Sequence, residues 1–178
     1  MRQFEDILRG ATSNITEEYF QLPVEGGPAI YRERVYTYEL YHQMRCLWPK
    51  EGTELRLNGE VDKKAHPVLS QREMRLAIPD LLVHGPGYMA RNYAVIEIKP
   101  QTASPIGIEK DVGTLSEFVR VAGYERAVYL HYGYDLADEL LTAIEGEARK
   151  IGAPKIEVWL HHRPMEAAEL VHVVDVGG

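Results

Sequence analysis

Two apolar runs carry charges that protein interiors rarely accept. Residues 78–84 read Ile-Pro-Asp-Leu-Leu-Val-His and residues 93–99 read Tyr-Ala-Val-Ile-Glu-Ile-Lys, so Asp80, Glu97 and Lys99 fall inside predicted strands. A buried charge without a partner is costly, and such groups must meet each other or a cation. Side chains alternate faces along a strand, which groups Glu97 and Lys99 with Tyr93 and Val95, and Asp80 with Ile78, Leu82 and His84. The turn residues His84-Gly85-Pro86-Gly87 fold one strand back on the other and bring Asp80 beside Glu97. Two adjacent carboxylates repel unless a cation lies between them, and hard oxygen ligands completed by water suit Mg²⁺ or Mn²⁺. Lys99 then stands where a water attacks.

The pattern Pro79-Asp80, strand-turn-strand, Glu97-x-Lys99 resembles the PD-(D/E)XK nuclease superfamily, the restriction-endonuclease-like fold. That resemblance implies metal-dependent phosphodiester hydrolysis, with DNA a better expectation than RNA and endonucleolytic cutting the leading activity. It implies that Asp80 and Glu97 ligate Mg²⁺ or Mn²⁺, that the Ile98 carbonyl assists, and that Lys99 orients or deprotonates the attacking water. It also implies an acid on the first core helix, for which Glu39 is the matching position and Glu60 a competitor. His66 and Gln101 are weaker candidates to line the same cleft. A second acid-x-Lys, Asp62-x-Lys64, lies in a charged segment without the apolar setting.

The elements that position these residues follow from periodicity. Helices are expected over residues 2–10 and 16–20, with a break at 22–28, and a longer helix over 31–48 carries Tyr36, Leu40, Met44 and Leu47 as its inward stripe. A first strand over residues 54–61 precedes the two charged strands, giving a meander. Ser104-Pro105 is an N-cap and first helical position, and Ile108, Val112, Leu115, Val119 and Ala122 keep helical spacing up to Gly123. A strand at 126–132, a helix capped by Asp135 with Leu136, Leu140, Ile144, Ala148 and Ile151 inward, and a strand at 155–161 complete the chain. The predicted class is α/β, an α+β mixed sheet. A restriction-endonuclease-like core in the order α-β-β-β-α-β over residues 31–132 joins a helical extension at 1–28 and an added helix and strand at 135–162.

The chain has 178 residues, 45% of them apolar and 26% charged, which fits one globular domain. The acidic N-terminal stretch and the lack of a long apolar run predict a cytoplasmic protein without a membrane partner. The lone Cys46 precludes an internal disulfide and a multi-cysteine zinc site, and is expected to be a buried thiol. A net charge of −7 offers no general attraction to a polyanion, so contacts to nucleic acid must be local. Lys63, Lys64, Arg72, Arg75, Lys110 and Arg120 are the candidates for such a groove. His161-His162 lacks clustered ligands and is read as structural, and the tyrosines at 31, 36, 38 and 41 are read as half-buried helix aromatics rather than base-stacking groups.

The motifs of serine hydrolases, P-loop enzymes, dinucleotide-binding proteins and zinc peptidases are absent. Hydrolysis of sugars by an acid pair would leave Lys99 without a task. The alternative class is a catalytically inert nuclease-like binding or assembly module, or a nuclease subunit that a partner directs. By analogy with single-domain nucleases, a homodimer is the expected assembly.

Overall fold

Helix α1 (Arg2–Thr12) forms because Phe4, Ile7, Leu8 and Ala11 recur at helical spacing and all are buried. A short helix α2 (Glu17–Phe20) sets Phe20 into a ring of aromatics, and α3 (Glu33–Leu47) buries Tyr36, Thr37, Leu40 and Met44. Strands β1 (Arg56–Gly59), β2 (Leu81–His84) and β3 (Asn92–Pro100) are antiparallel neighbours. Helix α4 (Pro105–Arg120) then crosses to β4 (Arg126–Tyr132), parallel to β3, and α5 (Asp138–Ile151) crosses to β5 (Ile156–His161), parallel to β4. A last strand, β6 (Glu169–Val174), returns antiparallel along β5. This computed structural model describes residues 2–61, 78–135 and 138–176.

The result is a mixed α/β chain whose six-stranded sheet runs β1-β2-β3-β4-β5-β6. One hydrophobic core packs one face of the sheet against α1, α2 and α3, and the other packs the opposite face against α4 and α5. From Ala94 onward alternation divides β3 accordingly, Ala94, Ile96 and Ile98 joining the first core and Val95 the second; Tyr93, expected on the face of Val95, packs in the first core, where the register with β2 shifts between Val83 and His84. Far from the charged pair, Arg126 donates to both carboxylate oxygens of Glu157 at 2.8 and 2.6 Å and to Glu5 at 3.1 Å, tying β4 to β5 and α1. No helix among the described residues is long and apolar enough to cross a membrane.

Several expected boundaries shift. Strand β1 is four residues long, and β2 begins at Leu81, so Asp80 lies in a bend just ahead of the strand rather than within it. Helix α5 is described from Asp138, so the cap expected at Asp135 falls against residues 136–137, which lie outside the described residues; the Asp135 N–H points to Gln101 Oε1 at 3.5 Å. Leu47 and Ile151, expected inward, are 43% and 42% exposed, each being the last residue of its helix. Leu136 lies outside the described residues. Strand β6 was not expected: its first three residues are exposed, so it lacks the alternation that marks a half-buried strand, and its pairing with β5 defines it. Cys46 is exposed, 3.7 Å from His42 Nε2 on the outer side of α3, and is not a core thiol.

Candidate active site

The antiparallel register Leu81↔Ile96 places Asp80 opposite Glu97. Asp80 Oδ2 accepts from the Ile98 N–H at 2.7 Å, which fixes the carboxylate at the sheet although its residue is not in a ladder. Glu97 is 4% exposed. Burial pushes the carboxyl of Glu97 well above the usual range, and the charges of Asp80 and Asp111 push it further. Burial also raises Asp80, against the opposing pull of the Ile98 N–H. The two carboxyl groups are close enough to share a proton, with protonated Glu97 donating to Asp80.

Lys99, two residues along the same face, is 14% exposed at its side chain and is held from both sides of the sheet. Its Nζ donates to Glu33 Oε2 on α3 at 2.8 Å and lies 3.5 Å from Asp111 Oδ2 on α4. Burial alone would lower the ammonium's pKa, but the Glu33 hydrogen bond and the charges of Asp111, Glu33 and Asp80 together raise it above the ordinary lysine value. Lys99 is therefore a firm cation, suited to orienting a water and offsetting negative charge rather than removing a proton.

Sequence reasoning missed Asp111 and Glu33. Asp111 is 1% exposed and its carboxyl is pushed up to about 7, first by burial, with Asp80 and Glu33 opposing the relief that Lys99 brings. Its Oδ2 has no hydrogen-bond partner, the separation from Lys99 being that of an ion pair. A signal was present: Asp111 stands three residues after Ile108 and four before Leu115, interrupting the α4 stripe as Glu97 interrupts β3. Glu33 likewise extends the Tyr36, Leu40, Met44 stripe of α3 by one turn toward its N-terminus. Beside Glu97 in the β3–β4 register stands Tyr129, whose buried hydroxyl has no partner and whose pKa is raised by burial and then by the charges of Asp111, Glu97, Glu33 and Asp80.

Glu39 is not the helical acid of this cluster. It accepts from Gln43 at 2.6 Å, one turn along α3, and Glu33 takes the place expected of it. Six residues separate the two glutamates on α3, which turns their side chains roughly 120° apart. Glu60 pairs with Arg34 at 3.5 Å near the surface, and its N–H donates to the Asp80 carbonyl at 3.1 Å. Gln101 does not line the acid cluster: its Oε1 accepts from the Tyr31 hydroxyl at 3.0 Å and the Tyr134 N–H at 2.7 Å, fixing the loop after β4.

Lys110 is exposed on α4, adjacent in sequence to the buried Asp111 but turned about 100° from it around the helix. Arg120 is not free for a groove, since it donates to the carbonyls of Ile151 and Gly152 at the end of α5. Lys63, Lys64, His66, Arg72 and Arg75 lie outside the described residues. His161 is buried in the first core, with its Nδ1 2.7 Å from the Tyr36 hydroxyl.

Asp80 and Glu97 supply the oxygen donors that a hard divalent cation takes, and their pKa values are raised first by burial, a cost of charge that such a cation would offset. The Ile98 side chain is buried on the opposite face, and its N–H is already given to Asp80. Among the described residues no three His, Cys, Asp or Glu side chains form a ready metal cage. Two carboxylates with water completing the shell are the arrangement Mg²⁺ commonly takes. No family model, no curated protein and no solved structure matches this chain.

Proposed function

We propose that the chain is a Mg²⁺- or Mn²⁺-dependent phosphodiesterase, a nuclease acting on DNA. The carrying observation is the buried Asp80–Glu97 pair, whose carboxyls burial drives toward the neutral form, with the Lys99 ammonium beside Glu97 on the same strand to offset their charge. The element order α3-β1-β2-β3-α4-β4 around them agrees with the core expected from the resemblance to PD-(D/E)XK nucleases.

Asp80 and Glu97 would hold the cation after giving up their shared proton. The bound cation supplies Lewis-acid polarisation of the scissile phosphate and a water of lowered pKa. Lys99 Nζ, free of any need to change protonation state, orients that water by hydrogen bonding and offsets charge on the phosphoryl oxygens. Glu33 and Asp111 keep the ammonium at that position from two helices, and Asp80 is kept in place by the Ile98 N–H.

The test is cleavage of circular, linear and single-stranded DNA and of structured RNA, with Mn²⁺ or Mg²⁺ against chelator, using Lys99→Ala and Glu97→Gln in parallel. Metal-dependent cutting that both variants lose is the expected result. Absence of cutting together with no Mn²⁺-induced rise in melting temperature would favour the inert binding module, and cutting that survives in Lys99→Ala would remove the mechanism.

A further inference from the structure

Beside Asp80 a cleft opens between α3 and the end of β1, lined by Thr37, Tyr38, Tyr41, Gly59, Glu60 and Asp80. We propose that this cleft holds one unpaired nucleobase of the substrate strand, next to the phosphodiester engaged at Asp80 and Glu97. The inference rests on the phosphodiesterase reading and extends it to a substrate class, strands with an unpaired nucleotide at the cut.

The walls have the chemistry of a base site. Tyr38 and Tyr41 present rings from adjacent turns of α3, and Tyr38 remains 55% exposed although the core-facing stripe of that helix lies elsewhere. Aromatic faces of this kind stack on any base. Thr37 is 3% exposed, and its hydroxyl has no hydrogen-bond partner. Glu60 adopts φ 44°, a left-handed conformation disfavoured for a residue with a Cβ, and its N–H is bonded to the Asp80 carbonyl at 3.1 Å. That hydrogen bond holds the residue beside Asp80 against the strain.

Charge decides between occupants. Among the described residues the cleft wall carries Glu60 and no basic side chain, so it offers a phosphate nothing, whereas a carboxylate accepts the N–H donors on the edge of a base. In a duplex the complementary strand occupies those donors, so the base entering here must be unpaired or extruded. Gly59 leaves space: a Cβ there would meet Asp80 O and Leu81 Cδ2 at 3.6 Å and Tyr41 Cδ2 at 3.9 Å, ordinary contacts with three of the cleft's lining residues, so a side chain added there takes up room within it.

The experiment is photocrosslinking of a single-stranded oligonucleotide carrying 5-iodouracil, with Ca²⁺ and separately with chelator, followed by peptide mapping. Wild type, Tyr38→Ala and Gly59→Val are compared, and melting temperatures show that each variant is folded. Crosslinks at Tyr38 or Tyr41 that Gly59→Val abolishes are expected. In Mn²⁺, single-stranded or bulged DNA should be cut at least about tenfold faster than uninterrupted duplex, a preference that Gly59→Val loses. Crosslinks elsewhere, none at all, or crosslinks indifferent to Gly59→Val overturn the base site, as does equal cutting of duplex. Cutting without a crosslink in the cleft would sink the base site and leave the phosphodiesterase reading. A crosslink at Tyr38 or Tyr41 without metal-dependent cutting would do the reverse.

Discussion

Lys99 Nζ and Glu33 Oε2, 66 positions apart in the chain, meet at 2.8 Å where the end of β3 passes the first turn of α3. With Asp111 at 3.5 Å on the other side, the ammonium is, among the described residues, the positive charge that offsets Asp80, Glu97 and Asp111 and pairs with Glu33. Removing it therefore acts on stability as well as on chemistry. Lys99→Ala should lose metal-dependent cutting by at least about a hundredfold, the scale of losing a positioned electrostatic group. It should also destabilise the protein by roughly 1–3 kcal/mol at pH 8, below the full cost of breaking a buried pair because Glu33 is partly exposed. Urea denaturation at pH 8 and pH 5 checks this, the loss being smaller at pH 5, where the acids hold protons.

The buried acids lower the stability of the metal-free protein as pH rises, opposed up to about pH 6.5 by His131 and His161, whose burial lowers each to about 4. Asp111 binds its proton up to about pH 7 when folded, and only to its ordinary value of 3.8 when unfolded. Between those values the native state binds more protons than the unfolded state, so stability falls as pH rises. Asp80 and Glu97, both raised, contribute in the same direction. Denaturation in chelator should show this contribution as a fall in stability between pH 6.5 and pH 8, above the range in which His131 and His161 act. Asp111→Asn should flatten that dependence and raise stability at pH 8 by about 1–3 kcal/mol. A steeper dependence in the variant would contradict the assignment.

Cation binding should reverse the effect. Filling the Asp80–Glu97 site displaces the shared proton, so affinity for Mn²⁺ should weaken as pH falls. At a concentration about 100 times its dissociation constant, the ion should add about 2.7 kcal/mol of stability. Thermal melts at pH 7.5 should show a Mn²⁺-induced rise that is smaller at pH 5.5 and absent in Glu97→Gln. An equal rise in Glu97→Gln would place the ion elsewhere.

Gly133, just past β4, has φ 151°, and a Cβ there would lie 2.5 Å from Gln101 Oε1. That oxygen already accepts from Tyr31 and Tyr134, so it has little freedom to move. Gly133→Ala should destabilise the fold by about 1–3 kcal/mol, the scale of backbone strain joined to a displaced contact. Urea unfolding measures it, and a change under about 0.5 kcal/mol would show that the loop rearranges without penalty.

What the sequence by itself determined lies in local patterns. Alternation made β3 legible, and with it the common face of Glu97 and Lys99, while Ser104-Pro105 marked the start of α4, where Ser104 Oγ accepts from the Gly107 N–H at 3.2 Å. The turn glycines implied the return of β2 on β3, and the apolar setting of Asp80 and Glu97 implied their meeting. Tertiary structure decided what local patterns cannot carry. Glu39 and Glu33 are both acids on one helix, and only the crossing of α3 over the end of β3 selects Glu33. Asp111 reads as one more helix charge until α4 packs against the sheet and buries it beside Lys99. β6 exists through its pairing with β5, because an edge strand with an exposed first half leaves little periodic trace. Distance along the chain gives no information about such contacts, whereas burial converts each into an energetic constraint strong enough to shift a proton.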